Sequence, residues 1–249
     1  LQSCTTYRHS TKNVIEGVSY STTFPDLFNK EGKLMGYIPI QRNVYYHDDQ
    51  IMYYGSNPSD SIVHGKVLKT RPAFYYFVYT KGKQYGLYYN LLFKEYAVKV
   101  KVDSMLKREN AYFPYRADFY DSTLIRNNRK FVSQNYNTDS TILHQIYTLK
   151  GGRPGEQVPD IFDSLYLTFS KKFKPTEYTL SRQFDSAMKM KLIQVTFILN
   201  PIYLREQDYI FEKLIAPHIL EEINIDNADE LMKYFDEDKR KNAEEEKGK

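Results

Sequence analysis

The chain has one cysteine, Cys4, in 249 residues, and no tryptophan at all. A single thiol excludes an internal disulfide framework and a zinc site built on paired thiolates. No apolar run reaches about 18 residues, so the sequence contains no membrane-spanning helix. Glycine (11) and proline (10) are sparse, which leaves few places for long flexible linkers. No H-E-x-x-H places two histidines on one helix face, and no G-x-S-x-G builds a nucleophile elbow. The glycine-rich stretch Gly151-Gly152-Arg153-Pro154-Gly155 lacks the G-K-[ST] ending of a phosphate loop, and Pro154 removes an N–H that such a loop needs.

What is present is tyrosine and charge. There are 24 Tyr and 15 Phe, and the formal net charge is +4. The charge is unevenly spread. Residues 226–249 hold nine acidic and six basic groups, whereas residues 66–130 hold 14 basic and five acidic. A basic, aromatic-rich stretch is the composition of a nucleic-acid surface, with phosphates held by Lys and Arg and bases stacked on rings. It is equally the composition of a solvated sheet face, and no RNA-recognition consensus is present, so nucleic acid is not the partner expected.

Period-two alternation dominates the chain. Val98, Val100 and Val102 alternate with Lys99, Lys101 and Asp103, which predicts a strand with one wet face. Residues 73–80 and 84–93 flank Lys81-Gly82-Lys83 and form the clearest hairpin signal. Strands are also predicted at 34–40, 42–54 with a bend at His47-Asp48-Asp49-Gln50, 62–68, 142–149, 161–169 and 192–199. Residues 181–190 read as a bulged strand or a short helix. Leu204, Phe211, Leu214, Ile215 and Ile219 fall at spacings that predict a helix, interrupted at Pro217. Asn227 with Glu230 reads as the cap of a further short helix, and the charged tail from Asp236 reads as a fraying helix or a disordered tail. Strands followed by helices predict an α+β fold: a mainly antiparallel sheet or sandwich with C-terminal helices. The expected organisation is a flexible tether over residues 1–23, a β-rich region over 24–150, strands then a helix on the same core over 151–225, and a short helix with a charged tail over 226–249.

The candidate catalytic groups are weak. His47 stands beside Asp48 and Asp49, but neighbours on a strand point to opposite faces, and a turn is the plainer reading. His9, His64, His144 and His218 have no partner at metal-ligand spacing. Asp160 and Asp163 are a carboxylate pair of unknown separation. No catalytic residue, metal ligand or cofactor is assigned. The most unusual feature is four tyrosine pairs, 45–46, 53–54, 75–76 and 88–89. In a strand each pair sends one ring to the core and one outward. The outward set Tyr46, Tyr54, Tyr76 and Tyr89 is the expected binding surface, since tyrosine offers contact area at low entropic cost. A coding sequence rich in A and T would also raise the tyrosine content.

Leu1-Gln2-Ser3-Cys4 resembles the lipobox of bacterial exported lipoproteins, with an aliphatic residue three before the cysteine and a small one just before it. Gln2 departs from the small or aliphatic residue usual at its position, and no charged and apolar leader precedes the motif. The Ser- and Thr-rich stretch after Cys4 and the Tyr/Lys/Asn-rich β body resemble lipoproteins of Bacteroidota-type bacteria. The resemblance covers four residues specifically and the rest by composition. It implies a lipid at Cys4, an outer-membrane location on the periplasmic or cell-surface side, and a binding or accessory role beside other envelope proteins in transport or secretion. The alternatives are a nucleic-acid-binding protein using residues 66–130 and an envelope hydrolase built on His47 or His64.

Overall fold

The computed structural model describes residues 14–28, 34–57, 60–63, 66–69, 73–91, 97–112, 129–150, 163–174, 176–204, 209–211 and 213–247. Most of them belong to one antiparallel sheet of eleven strands, in the order β8-β7-β6-β3-β2-β1-β15-β12-β11-β10-β9. The strands follow one another as meanders. β1 (Glu16–Phe28), β2 (Leu34–His47) and β3 (Gln50–Asn57) pair in turn, and after the small hairpin β4 (Asp60–Val63) and β5 (Lys66–Lys69) the sheet resumes with β6 (Ala73–Thr80), β7 (Tyr85–Asn90) and β8 (Ala97–Lys101). Helix α1 (Val102–Tyr112) follows. The chain next enters the opposite end of the sheet with β9 (Arg129–Tyr136), β10 (Ile142–Leu149) and β11 (Ser164–Ser170). Helix α2 (Arg182–Met188) precedes β12 (Lys191–Leu199). A second small hairpin, β13 (Ile202–Leu204) with β14 (Tyr209–Phe211), leads to β15 (Leu214–Glu222). The last element is helix α3 (Ala228–Lys247). The fold is therefore α+β and mainly antiparallel, as the strand patterning predicts.

Both predicted hairpin bends form. Asp48 takes φ +51° between β2 and β3, and Gly82 takes φ +78° between β6 and β7. Positive φ suits glycine, and Asp accepts it better than most side chains.

Two expectations are corrected. Residues 16–23 belong to β1, at the centre of the sheet, rather than to a tether. Their Ser and Thr are polar, but Val18, Tyr20 and Thr22 alternate with Ser19 and Ser21, and all five are buried or half-buried. Residues 1–13 lie outside the described residues. The helix expected across 204–219 is instead the β13–β14 hairpin and β15. Leu214, Ala216, His218 and Leu220 form a buried period-two row, whereas Ile215, which the helical count included, is 45% exposed. Pro217 is accommodated where the β1–β15 ladder stops: the last pair is Thr22 with His218. Of the two readings of the charged tail the helical one holds, as far as Lys247, and its acidic face meets cations on the sheet.

The sheet carries a core on each face. On one, Val18, Val44, Phe77, Leu165, Phe169 and Val195 belong to a continuous cluster. The segment before β12 folds over it, with Ser181 Oγ capping α2 at the Phe184 amide and Phe184 packing on Phe169 at 5.9 Å. Asp185 fixes this cover by accepting from the Leu192 amide (2.7 Å) and by pairing with the Lys191 ammonium (3.1 Å). On the other face α3 lays Leu231 and Phe235 over Tyr45, Met52, Tyr76, Val78 and Leu87.

Candidate functional site

Helix α3 starts where the Asn227 carbonyl accepts from the Glu230 and Leu231 amides. Its apolar stripe covers strands β3, β6 and β7, and a buried polar group fixes its register. Asp238, 2% exposed, accepts hydrogen bonds at one oxygen from Gln50 Nε2 (3.0 Å), Thr80 Oγ1 (2.8 Å) and Asn242 Nδ2 (3.2 Å). Gln50 also donates to the Phe235 carbonyl at 2.9 Å. Burial nonetheless raises the Asp238 pKa above the usual carboxylate range, the donors only partly offsetting desolvation. Further along, Glu246 pairs with Lys83 and Glu245 with Lys99. Lys99 Nζ also sits 4.6 Å from the Tyr85 ring centre. The acidic C-terminal helix and the basic central region therefore neutralise each other across this seam. A cavity of about 110 Å³ remains between α3 and β7–β8, lined by Tyr85, Leu87, Lys99, Asp238 and Glu245 among others.

The four tyrosines expected as one outward surface are divided between the two faces. Tyr54, Tyr76 and Tyr89 share the α3 face, where Tyr76 and Tyr89 stand 4.6 and 4.8 Å from the Tyr234 ring. Tyr76 and Tyr89 are buried, and Tyr54 is half-buried. Tyr54 stacks on the partly exposed Phe74 at 5.9 Å and 7°. Tyr46 is on the opposite face, where its hydroxyl accepts from the Tyr178 amide at 3.1 Å and burial pushes its pKa up to about 12. One ring of each pair does face each way. The outward reading fails because α3 covers one face and the 176–190 segment the other. At the Phe74–Tyr54 end the stripe meets solvent, with Phe74 40% exposed.

The three described histidines are dispersed. His47 packs on Phe235 at 5.5 Å beneath α3, with Asp48 Oδ2 3.7 Å from its Nε2. His144 meets Thr168 Oγ1 at 3.1 Å on the exposed surface. His218, fully buried on β15, shares a 2.7 Å hydrogen bond between Nδ1 and the Tyr20 hydroxyl, and Phe197 meets its ring edge-on at 5.5 Å. Burial lowers its pKa to about 3, so the ring is neutral. Arg42 is also enclosed, donating to the Ser56 carbonyl at 2.8 Å with its guanidinium 5.6 Å from the Tyr75 ring. Asp163 accepts from the Asn200 amide at 2.6 Å. Among the described residues no three His, Cys, Asp or Glu side chains are grouped to hold a metal ion. Cys4, His9, His64, Asp160 and the 151–155 glycine stretch lie outside the described residues.

The most distinctive surface was not anticipated from sequence. β9 ends the sheet, bonded to β10 alone among the described residues. It exposes Phe131 (47%), Val132 (53%) and Tyr136 (49%). A register shift opposite Ile146 and Tyr147 leaves Val132 unpaired as a bulge. The signal available in sequence was the run Phe131-Val132, with no alternation into a polar face. The chain matches no known protein-family profile and no curated protein sequence.

Proposed function

We propose that the protein is a lipid-anchored envelope protein that works by binding another envelope protein, as an accessory subunit of an outer-membrane assembly. The observation that carries the reading is Leu1-Gln2-Ser3-Cys4, which places the single thiol of the chain ten positions ahead of Val14. Those ten steps reach at most about 35 Å when fully extended. A lipid at Cys4 would hold the sheet close to the membrane through its central strand, β1. The large sheet carries a core on each face and ends at β9, which among the described residues is bonded to β10 alone, so it is a platform of the kind that presents a binding edge.

The nucleic-acid alternative loses part of its basis at the α3 seam. Lys83 and Lys99 of the basic region pair with Glu246 and Glu245, and Lys81 pairs with Glu177 at 2.6 Å. The hydrolase alternative gains nothing from His47, whose ring packs on Phe235.

Cell fractionation tests the anchor. Expressed from its natural reading frame, the wild-type chain is expected in the membrane fraction and Cys4→Ala in the soluble fraction. Identical partitioning of the two would overturn the reading.

A further inference from the structure

We infer that β9 is a docking strand for an extended, acidic segment of another protein, which adds to the sheet beside it. The inference deepens the binding reading above, but its geometry does not depend on the lipid. An edge strand presents a row of backbone N–H and C=O groups with no partner in its own sheet, and β-strand addition uses such a row. The two edges of this sheet are treated differently. β8 alternates Val98 and Val100 with Lys99 and Lys101, and Lys99 is tied to α3. Lysine on an edge is a common guard against pairing. β9 has Lys130 at its start and then Phe131, Val132, Ser133, Gln134, Asn135 and Tyr136. Three of the eight large hydrophobic side chains exposed among the described residues lie on this one strand. The Val132 bulge divides the edge, so the longer uninterrupted stretch for an incoming strand is residues 133–136.

Charge selects the occupant. β9, β10 and β11 contain no Asp or Glu, while β9 exposes Lys130 and, at the far end of the edge, Lys171 Nζ lies 5.6 Å from the Tyr136 ring centre; Arg129 is buried and adds no charge to the surface. Among the described residues no carboxylate pairs with Lys130 or Lys171. The nearby Asp139 is already engaged by Lys172 at 2.7 Å and by Thr141. A second copy of this chain would bring a second Lys130 and Lys171 to the edge, whereas an acidic strand would neutralise them. The backbone row favours a peptide over a nucleic acid, since phosphates do not continue a β ladder.

The test uses the isotope-labelled full chain and a ten-residue peptide of alternating threonine and valine with two aspartates at each end. Amide resonances of residues 130–136 are expected to shift on titration. A peptide with lysines replacing the aspartates should bind at least tenfold more weakly at low salt, and one with alternate backbone nitrogens methylated should not bind. Val132→Asp, on an exposed side chain that the fold does not need, should weaken the acidic peptide severalfold. No shift at β9 at millimolar peptide, equal binding of both charge types, or tighter binding of a single-stranded oligonucleotide to the same amides would overturn the proposal. A concentration-dependent dimer abolished by Val132→Asp would do so too, by making a second copy the occupant. Lipidated protein that ignores the peptide would overturn this inference alone, and peptide binding by a chain unmodified at Cys4 would overturn only the anchor.

Discussion

His218 makes the folded state acid-sensitive in a way that one substitution should isolate. The ring lies in the sheet interior between Tyr20 and Phe197, and burial lowers its pKa from about 6.5 to about 3. The unfolded chain therefore binds a proton that the folded chain refuses between those two values. Stability from this group is fully present above pH 6.5 and is lost as the pH falls, at about 1.4 kcal/mol per unit. Between pH 7.5 and 4.5 the loss is about 3 kcal/mol. His218→Gln keeps an acceptor for the Tyr20 hydroxyl and has no charge to gain. Urea unfolding of both proteins, followed by circular dichroism, should show a wild-type free energy that falls by about 3 kcal/mol more than that of the variant over this interval. Parallel pH profiles would refute the reasoning, because they would mean that the imidazolium is tolerated inside the sheet.

Further predictions concern the seams. Asp238 has its pKa raised, so its contribution has the opposite sign: stability falls as the pH rises from about 4 towards the raised value. Asp238→Asn should flatten that fall in urea titrations, and Asp238→Ala should cost about 2 kcal/mol at neutral pH by stranding the Thr80 donor. A Cβ at Gly86 would stand 2.5 Å from the Val78 carbonyl oxygen, a backbone atom held by the β6–β7 ladder. Gly86→Ala should therefore lower stability by about 2–3 kcal/mol in thermal unfolding, the usual cost of overpacking. Phe235→Ala, which empties the centre of the α3 seam, should cost about 3–5 kcal/mol by urea unfolding and loosen hydrogen exchange in β3 and β6. Reversing Glu245 and Glu246 to Lys should lower Tm at low salt and much less at 0.5 M salt, because those pairs are solvent-exposed and screened.

How far the sequence disclosed this architecture follows from which signals are local. Hairpins are local: Gly82 and the 47–50 bend announced two of them, and residues 142–149 and 192–199 alternate clearly enough to be read as strands. The position of β1 is not local. Ser19 and Ser21 look like linker residues until β2 pairs with them on one side and β15 arrives from far along the chain to pair on the other. The β15 segment failed for a related reason. Leu214, Ile215 and Ile219 fit a helical spacing, and it is pairing with β1 and β12 that makes Leu214, Ala216, His218 and Leu220 the buried row instead. The tyrosine surface was half-legible. Alternation assigned each ring a side, but α3 covers Tyr76 and Tyr89, and no residue near those tyrosines announces that helix. The α3 helix itself was foreseen to Phe235. Its continuation to Lys247 depends on Lys83 and Lys99, which lie some 150 positions earlier.

The central claim is the anchor at Cys4, and intact mass tests it most directly. The protein is expressed from its full natural reading frame and extracted from membranes, beside a Cys4→Ala control. The account predicts a chain that begins at Cys4 and carries added acyl mass, with neither the cleavage nor the acyl mass in the control. An unmodified thiol with the residues before Cys4 still attached would contradict it.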